Sequence, residues 1–533
     1  MMRKRFIAIW ERREEDVMGE ILRKNRARLI TLAVLAFLFV TAVQGMETKD
    51  WVITVLRGLS VGAITFLVAS GFSLILGLMN ILNLAHGEMF MIGAYVGWTV
   101  YVRPDTFVDV LPPLALLAVG LMLMPVWRAL LSRLQVGRRA AQIWPWVGLI
   151  VALLILSATF VKFPITMWDA EVYAESPTTY ALAMDQGLAT VPEAAVFESL
   201  SPFVAIVGTL LGGIVLGVAL AGLGQREQVA ATHMNKGSII GAVLILLAGL
   251  AIFWGNNALT EYLYAMNTTG RFFLSMLVAV LGGGAMGMLI ETTLIRPLYE
   301  RHTYQILLTL GLSFIGIEVV RAIWGRPEFT MPKPELFAAA GGNCPATGIG
   351  GWLANSCSTI LLFDGRVRTY NEIFIIFVGL VVLIAIWLLL QQTRIGMIIR
   401  AGVQDSEMVE ALGINVQRVF TFVFSLGVGL AALGGVLAAP SIGLSPAMGT
   451  RLLLLALIAL AIGGLTSFPG AAAGAVLVGL MQQFIIKYGQ IGINLPFMAE
   501  PFKPSPPLVP ASTVLLMVII LLVLPNGLFG RSD

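Results

Sequence analysis

Residues 52–79 decide the fold: they read VITVLRGLSVGAITFLVASGFSLILGLM and carry one charged side chain, Arg57. A helix needs roughly 20 mainly apolar residues to cross the hydrocarbon core of a bilayer, which is about 30 Å thick. This stretch is longer than that requirement. We therefore predict a membrane-spanning helix here.

The composition of the whole chain agrees with a membrane location. Of its 533 residues, 58% are hydrophobic and 12% are charged, and its mean hydropathy is +0.89. Soluble domains carry roughly 25% charged residues. A chain of this length with half that charge cannot cover a water-facing surface, which excludes a soluble enzyme, a nucleic-acid-binding domain and a disordered protein.

Further apolar runs indicate an all-α polytopic membrane protein with about 14 transmembrane or re-entrant helices. We place them at 29–46, 52–79, 89–102, 112–127, 144–161, 202–223, 238–254, 272–290, 305–324, 372–390, 419–439, 452–465, 471–486 and 511–525. The runs 89–102 and 452–465 are short for a full span. We expect these two to be broken, tilted or re-entrant.

The charges between the runs predict the orientation. With a cytoplasmic N-terminus, roughly 21 Lys and Arg fall in inner segments and roughly 11 in outer segments, as the positive-inside rule requires. Acidic residues instead mark the outer loop 162–201, where Lys162 is the only Lys or Arg. An even number of spans returns the C-terminus to the cytoplasm, so both termini are predicted to be cytoplasmic.

Three segments outside the spans have features of their own. The basic tail 1–28 contains an apolar spacing over 3–24 that predicts an amphipathic helix on the membrane surface, with docking of a partner as the alternative. The outer loop 325–371 holds Cys344 and Cys357. In an oxidising periplasm these two cysteines could form a disulfide, and two unpaired thiols are the alternative.

Two interruptions of the apolar pattern contain polar or backbone-breaking residues. The first places Asn83, His86 and Glu88 between two apolar runs, and the second is Gly463-Gly464-Leu465-Thr466-Ser467-Phe468-Pro469-Gly470. Broken helices of this kind face cavities in transporters. For the first, a short cytoplasmic turn in which Asn83 caps the next helix is the alternative; for the second it is tight helix packing.

Few ionisable residues lie within the predicted spans. Arg57, Glu318 and Arg321 stand out, and Glu318 and Arg321 have the i,i+3 spacing of a helical ion pair. Arg321 lies near the outer end of its span, which favours a snorkelling side chain. No series of Asp, Glu and His runs through the spans, which argues against a proton-driven pump.

The cytoplasmic loop 392–418 contains a predicted amphipathic helix. Asp405 can cap it, Glu407 suits its positive end and Gly413 can end it. An apolar side is formed by Met408, Val409 and Leu412, while Glu407 and Glu410 are expected to be exposed. The pattern is equally consistent with a helix lying on lipid and with a helix docking a partner protein.

Several motifs, in the same order, resemble those of the branched-chain amino-acid (Liv-type) ABC permeases. They are Asn83-Leu-Ala-His-Gly-Glu-Met-Phe-Met-Ile-Gly-Ala-Tyr95, Arg400-Ala-Gly402 with Asp405 and Ala411–Asn415, Ile462–Ala471, and Leu524-Pro-Asn-Gly-Leu-Phe-Gly530. The resemblance covers roughly 52–102 and 272–530. The chain departs from the family by an extra span at 29–46 and an inserted transmembrane region at 103–271.

The resemblance implies a permease subunit of an importer in the bacterial inner membrane, paired with a second permease subunit, two ATPase subunits and a periplasmic binding protein. The chain has no G-x-x-x-x-G-K-[ST] motif, so ATP would be used by the partner, and we expect this chain to bind no cofactor or metal. The residues implied to couple to the ATPase are Arg400, Asp405, Glu407, Met408, Val409, Glu410, Leu412 and Gly413. Those implied for the pathway or family signature are Asn83, His86, Gly87, Glu88, Gly463, Gly464, Ser467, Pro469 and Gly470.

The substrate expected from the resemblance is a branched-chain or other apolar amino acid, with urea or a short amide as the alternative. An ion-coupled secondary transporter is a second class, but it would need intramembrane acidic residues, which are scarce. The glycine-rich broken helices also suit a channel. A membrane-bound enzyme finds no support, because no nucleophile–base or metal constellation is present and no catalytic residue is predicted.

Overall fold

The computed structural model describes residues 26–133, 138–160, 162–165, 199–223, 236–299, 301–326, 328–404, 406–493 and 500–530. The predicted amphipathic helix at 3–24, most of the acidic loop 162–201 and the predicted capping residue Asp405 lie outside these ranges.

The described chain is mainly helical. Its α-helices are α1 Arg26–Gln44, α2 Thr48–Met79, α3 His86–Val102, α4 Pro104–Met122, α5 Met124–Leu131, α6 Arg138–Thr159, α7 Pro202–Leu223, α8 Lys236–Trp254, α9 Asn256–Ala265, α10 Thr268–Ile290, α11 His302–Trp324, α12 Ile349–Asn355, α13 Ile375–Gln392, α14 Arg394–Gln404, α15 Ser406–Ala411, α16 Val416–Ile442, α17 Met448–Gly463, α18 Phe468–Ile491 and α19 Leu508–Val523. Two π-helical turns, Glu291–Ile295 and Thr369–Phe374, adjoin α10 and α13.

Ten helices in the described residues have the length and composition of a membrane span, and three shorter apolar helices accompany them. The shorter ones are Ile30–Val43, Met448–Gly463 and Leu508–Val523. The predicted all-α polytopic fold is thereby confirmed. One boundary differs clearly from the prediction: the helix expected at 112–127 begins earlier, at Pro104. Pro104 and Asp105 lie in its first turn, where Pro and acidic residues are both favoured.

The chain divides into two compact units. Unit 1 comprises Met1–Gly97 and Ser275–Asp533, and unit 2 comprises Trp98–Leu274. The bounds of unit 2 are close to those of the inserted region that the sequence indicated, 103–271.

Helix α2 lies at the centre of unit 1. It packs against α13, α16, α17 and α18, and its side chains from Phe66 to Ile75 are buried or nearly so. Small residues permit the close approach: a Cβ on Gly71 would overlap the backbone of Gly427 in α16. Such contacts hold membrane helices together, since the surrounding lipid is as apolar as the helices themselves.

Unit 2 is built around α4 and α7. Helix α4 packs against both α7 and α8, and α6 packs against α7. The buried ring of Phe163 contacts Leu116 and Ala205 in its apolar core. Arg103 pairs with Asp105 at 2.8 Å where α4 begins.

A short β-hairpin, which the sequence pattern did not predict, lies in the loop between α11 and α13. Strands β1 (Thr359–Leu362) and β2 (Gly365–Arg368) pair antiparallel, joined by Phe363 and Asp364, both with positive φ, as a tight hairpin turn requires. In the same loop Cys344 and Cys357 form a disulfide, with their Cα atoms 5.5 Å apart.

Candidate functional site

The first interruption is a buried re-entry of the chain into unit 1. Helix α2 ends at Asn80, which is left-handed with φ 51°, and the Oδ1 atom of Asn83 accepts a hydrogen bond from the Ala85 N–H at 3.1 Å. The Nε2 atom of His86 lies 3.1 Å from the carbonyl oxygen of Val68. Because Val68 precedes the end of α2 by about three turns, roughly 16 Å, α3 begins well inside the unit.

Glu88 joins three helices at the start of α3. Its side chain is 1% exposed, and its Oε1 atom accepts hydrogen bonds from Ser313 of α11 at 2.9 Å and Thr450 of α17 at 3.1 Å. Its Oε2 atom has no hydrogen-bond partner among the described residues. Gly87 makes the junction possible, since a Cβ there would overlap the backbone of Gly449.

The second interruption is a tight break between α17 and α18. Gly464 has a φ of 112°, and the Ser467 hydroxyl accepts a hydrogen bond from the Gly470 N–H at 3.2 Å. Ser467 is therefore the N-cap of α18, and Pro469 occupies its first turn. A Cβ on Gly463 would overlap the Gly470 carbonyl oxygen, so the two helix ends meet only because both positions lack side chains.

The C-terminal motif packs directly on this break. The N–H of Leu528 donates to the carbonyl oxygen of Ile462 at 2.9 Å, and that of Phe529 donates to Gly463 at 2.9 Å. Two motifs that the sequence places some sixty residues apart thus form one backbone-bonded structure.

Both interruptions and the 392–418 loop meet at the C-terminal end of α2. The Ser73 hydroxyl donates to the carbonyl oxygen of Leu465 at 3.2 Å, which ties the second break to α2. The first break follows α2 directly. Gly402 of α14 lies against Leu78, where an added Cβ would be 3.4 Å from its Cδ1 atom.

The 392–418 loop forms two helices, of which the sequence indicated only the second. Within α15, Val409 is 3% exposed, whereas Met408 is 60% exposed and Leu412, just after it, is 73% exposed. The three therefore do not share one side, because only Val409 points into the unit. Gly413 ends the element with a φ of 79°, and the side chain of Glu407 lies outside the described part.

Arg400 and Glu410 occupy different positions within this loop. Arg400 donates through Nη1 to the carbonyl oxygen of Leu390 and to the Gln391 Oε1 atom at 3.0 Å. It therefore caps the C-terminus of α13, where a cation is favoured. Glu410 is exposed.

A buried polar cluster that the sequence reasoning missed lies at the base of α16. Glu291, which is fully buried, accepts hydrogen bonds from Arg296 at 2.9 Å, Thr421 at 2.7 Å and Tyr299. Burial, as the larger cause, and the hydrogen bond to Glu291 both raise the pKa of Tyr299. The phenol therefore stays protonated and acts as a hydrogen-bond donor. The signal in the sequence was a lone Glu in an apolar run with Arg five residues later.

The ionisable residues noted within spans are paired. Glu318 and Arg321 form the predicted i,i+3 pair at 2.6 Å, and both are largely exposed. Arg57 instead pairs with Glu372, its Nε atom 2.7 Å from Oε1. Sequence spacing gave no indication of this second pair, because its partners lie on separate elements.

This geometry defines a polytopic membrane protein whose broken helices meet an exposed two-helix segment. The chain belongs to the family described as "branched-chain amino acid transport system / permease component", whose profile matches residues 234–524, more than half of the chain. That match begins within the region that the sequence analysis assigned to the insertion.

Curated relatives carry related descriptions. The high-affinity branched-chain amino acid transport system permease protein LivH of Salmonella typhimurium is 24% identical over 257 residues, 48% of this chain and 73% of its own length. A probable LivH of Methanocaldococcus jannaschii is 25% identical over 48% of this chain and 74% of its own length. BraD of Pseudomonas aeruginosa is 30% identical over 32% of this chain and 51% of its own length. No solved structure matches the chain.

Proposed function

We propose that this chain is the permease subunit of an ATP-driven ABC importer that moves branched-chain or other apolar amino acids across the bacterial inner membrane by alternating access. Two such subunits, identical or related, would form the pathway with two ATPase subunits and a periplasmic binding protein. The termini and the segment of α14 and α15 would be cytoplasmic. ATP is used by the partner subunit, and this chain is not an enzyme.

One observation carries the proposal: the exposed α14–α15 segment rests on the same end of α2 at which both broken helices meet. Met397 and Leu412 present apolar surface there, 62% and 73% exposed, which favours a protein partner or lipid over water. A displacement of this segment by a partner would act directly on α2. Because α2 packs against four other helices, the displacement would reach much of unit 1.

The test is uptake of radiolabelled leucine by proteoliposomes containing this chain with its ATPase and binding protein. We expect uptake to require ATP, and we expect its rate to be unchanged by an imposed ion gradient. Uptake that follows the ion gradient without ATP would favour a secondary transporter, and transport of urea in place of leucine would move the substrate class to short amides.

Two variants test the role of the segment. Gly413→Pro imposes a φ near −65° where the chain needs 79°, and Glu410→Arg reverses an exposed charge. Both should abolish uptake and co-purification of the ATPase while the permease stays in the membrane. Glu500→Arg, which reverses an exposed charge between two helices elsewhere in unit 1, is the matched control and should transport normally. Normal transport by both loop variants would refute the assignment.

A further inference from the structure

A pocket of about 270 Å³ with a mixed polar and apolar lining opens in unit 1 where α2, α16 and α18 lie beside the π-helical turn Thr369–Phe374. Its volume is slightly below the roughly 300–1,000 Å³ typical of sites for drug-sized ligands. It therefore suits a smaller molecule. Helix α16 begins next to the α14–α15 segment and reaches the pocket at Ile442 after 27 residues, so the pocket lies about 40 Å from that segment along α16.

Among the charged residues that line the pocket, Arg57 has guanidinium N–H groups that can still donate hydrogen bonds to a ligand. Glu372 is 1% exposed, and both of its oxygens are occupied, Oε1 by Arg57 and Oε2 by the Arg368 N–H. Arg57, whose side chain is 45% exposed, uses only its Nε atom. Neither of its terminal nitrogens has a hydrogen-bond partner within the described chain.

Arg368 adds a second guanidinium to the lining, and its side chain is exposed. The pocket thus carries two cationic groups and one carboxylate that is already paired. A ligand carboxylate would find a free planar donor edge on Arg57, the geometry that carboxylates prefer.

The rest of the lining divides into acceptors and apolar groups. The Asn371, Ser441 and Gln483 side chains supply oxygen atoms, and Ser441 donates to Asn371 Oδ1 at 3.2 Å. The apolar members are Val61, Ile64 and Ile442.

We propose that this pocket is a binding subsite for a small zwitterionic amino acid with an apolar side chain. Arg57 and Arg368 receive its α-carboxylate, the amide and hydroxyl oxygens of Asn371, Gln483 and Ser441 receive its α-ammonium group, and the aliphatic residues contact its side chain. The inference rests on the proposed amino-acid importer and locates a place at which the permease itself recognises the substrate.

Thiol protection tests the subsite directly. The chain has two cysteines, both in the disulfide, so Gln483→Cys introduces a single free thiol into the full chain in lipid nanodiscs. Millimolar L-leucine should slow its reaction with a charged methanethiosulfonate reagent, whereas isoamylamine, which lacks the carboxylate, should not. Gln490→Cys, an exposed position two turns further along α18, is the matched control and should react at the same rate with and without leucine.

Arg57 should decide the protection. In the Gln483→Cys background, Arg57→Gln should raise the half-protecting leucine concentration by about tenfold or more, since a hydrogen bond to a charged group is lost, and Arg57→Lys should retain part of the effect. Lys487→Gln breaks a different ion pair of α2, the one between Lys487 of α18 and Asp50 at 2.9 Å, and should leave protection unchanged.

Equal reaction rates with and without leucine, equal protection by isoamylamine, or equal protection in the Arg57→Gln variant would overturn the subsite. Protection needs neither ATP nor partners, whereas the importer is tested by ATP-dependent uptake. The two proposals therefore fail in different experiments.

Discussion

Glu291 is a fully buried carboxylate that bonds three side chains from two segments of unit 1. Arg296 and Tyr299 follow it closely in sequence, while Thr421 lies in the second turn of α16. Burying a charge costs several kcal/mol unless it is paired and hydrogen-bonded. The cluster meets that condition and fixes the end of α10 to the base of α16, immediately after the α14–α15 segment.

Removal of this carboxylate should destabilise the protein strongly. Glu291→Ala leaves Arg296, whose side chain is 32% exposed, without its counter-charge, and breaking a partly buried pair of this kind costs about 3 kcal/mol or more. We expect a clearly lower melting temperature in detergent. It is measured by size-exclusion chromatography of the protein that remains monodisperse after heating. Glu318→Ala, from an exposed pair, should cost about 1 kcal/mol at most. Equal losses in the two variants would contradict this account.

At the scale of elements, the second break depends on backbone contact between two helix ends. Gly463 closes α17, Ser467 caps α18, and the C-terminal segment bonds back to Ile462 and Gly463. The break is therefore a closed structure with its own hydrogen bonds. It contacts α2 through Ser73.

A methyl group at the break should disturb it. Gly463→Ala places a Cβ on the Gly470 carbonyl, and overpacking of this kind typically costs about 1–3 kcal/mol. We expect reduced thermal stability and reduced uptake. Gly282→Ala in α10 has no neighbouring atom within 4 Å of the added Cβ and should be neutral or slightly stabilising, since Ala favours a helix. If both variants behave like the unchanged chain, the close contact at the break does not limit stability.

At the scale of the whole molecule, the scarce charge is sorted by segment. Charged residues make up 12% of the chain and lie mostly between the apolar helices. Lys and Arg are concentrated in the segments predicted to be cytoplasmic. The net charge of +4 therefore bears on orientation in the membrane and gives no reason to expect nucleic-acid binding.

Reporter fusions test that orientation. A green fluorescent protein fused after Asp533 should fluoresce, and alkaline phosphatase at the same position should be inactive, because the positive-inside rule places this end in the cytoplasm. Phosphatase inserted in the 166–198 segment should be active. The reverse pattern would invert the topology, and with it the assignment of α14 and α15 to the cytoplasmic side.

The sequence by itself determined the helical membrane fold, since an apolar run long enough to span a bilayer is a local property. It also located both interruptions and the Gly413 helix end, because Gly, Pro and Asn act through their own backbone chemistry. The first helix of the 392–418 loop was missed, since its mixed composition resembles neither a span nor a polar loop.

Only the tertiary structure decided which helix ends meet. The contact of Gly402 with Leu78, the bond from Ser73 to Leu465 and the pair of Arg57 with Glu372, which are 315 residues apart, follow from how α2 packs. Hydropathy does not predict which helices pack together, because every span is apolar and differences in water affinity therefore do not select the neighbour of a given helix. Small-residue contacts and a few buried polar groups make that selection, and their partners become visible only once the helices are assembled.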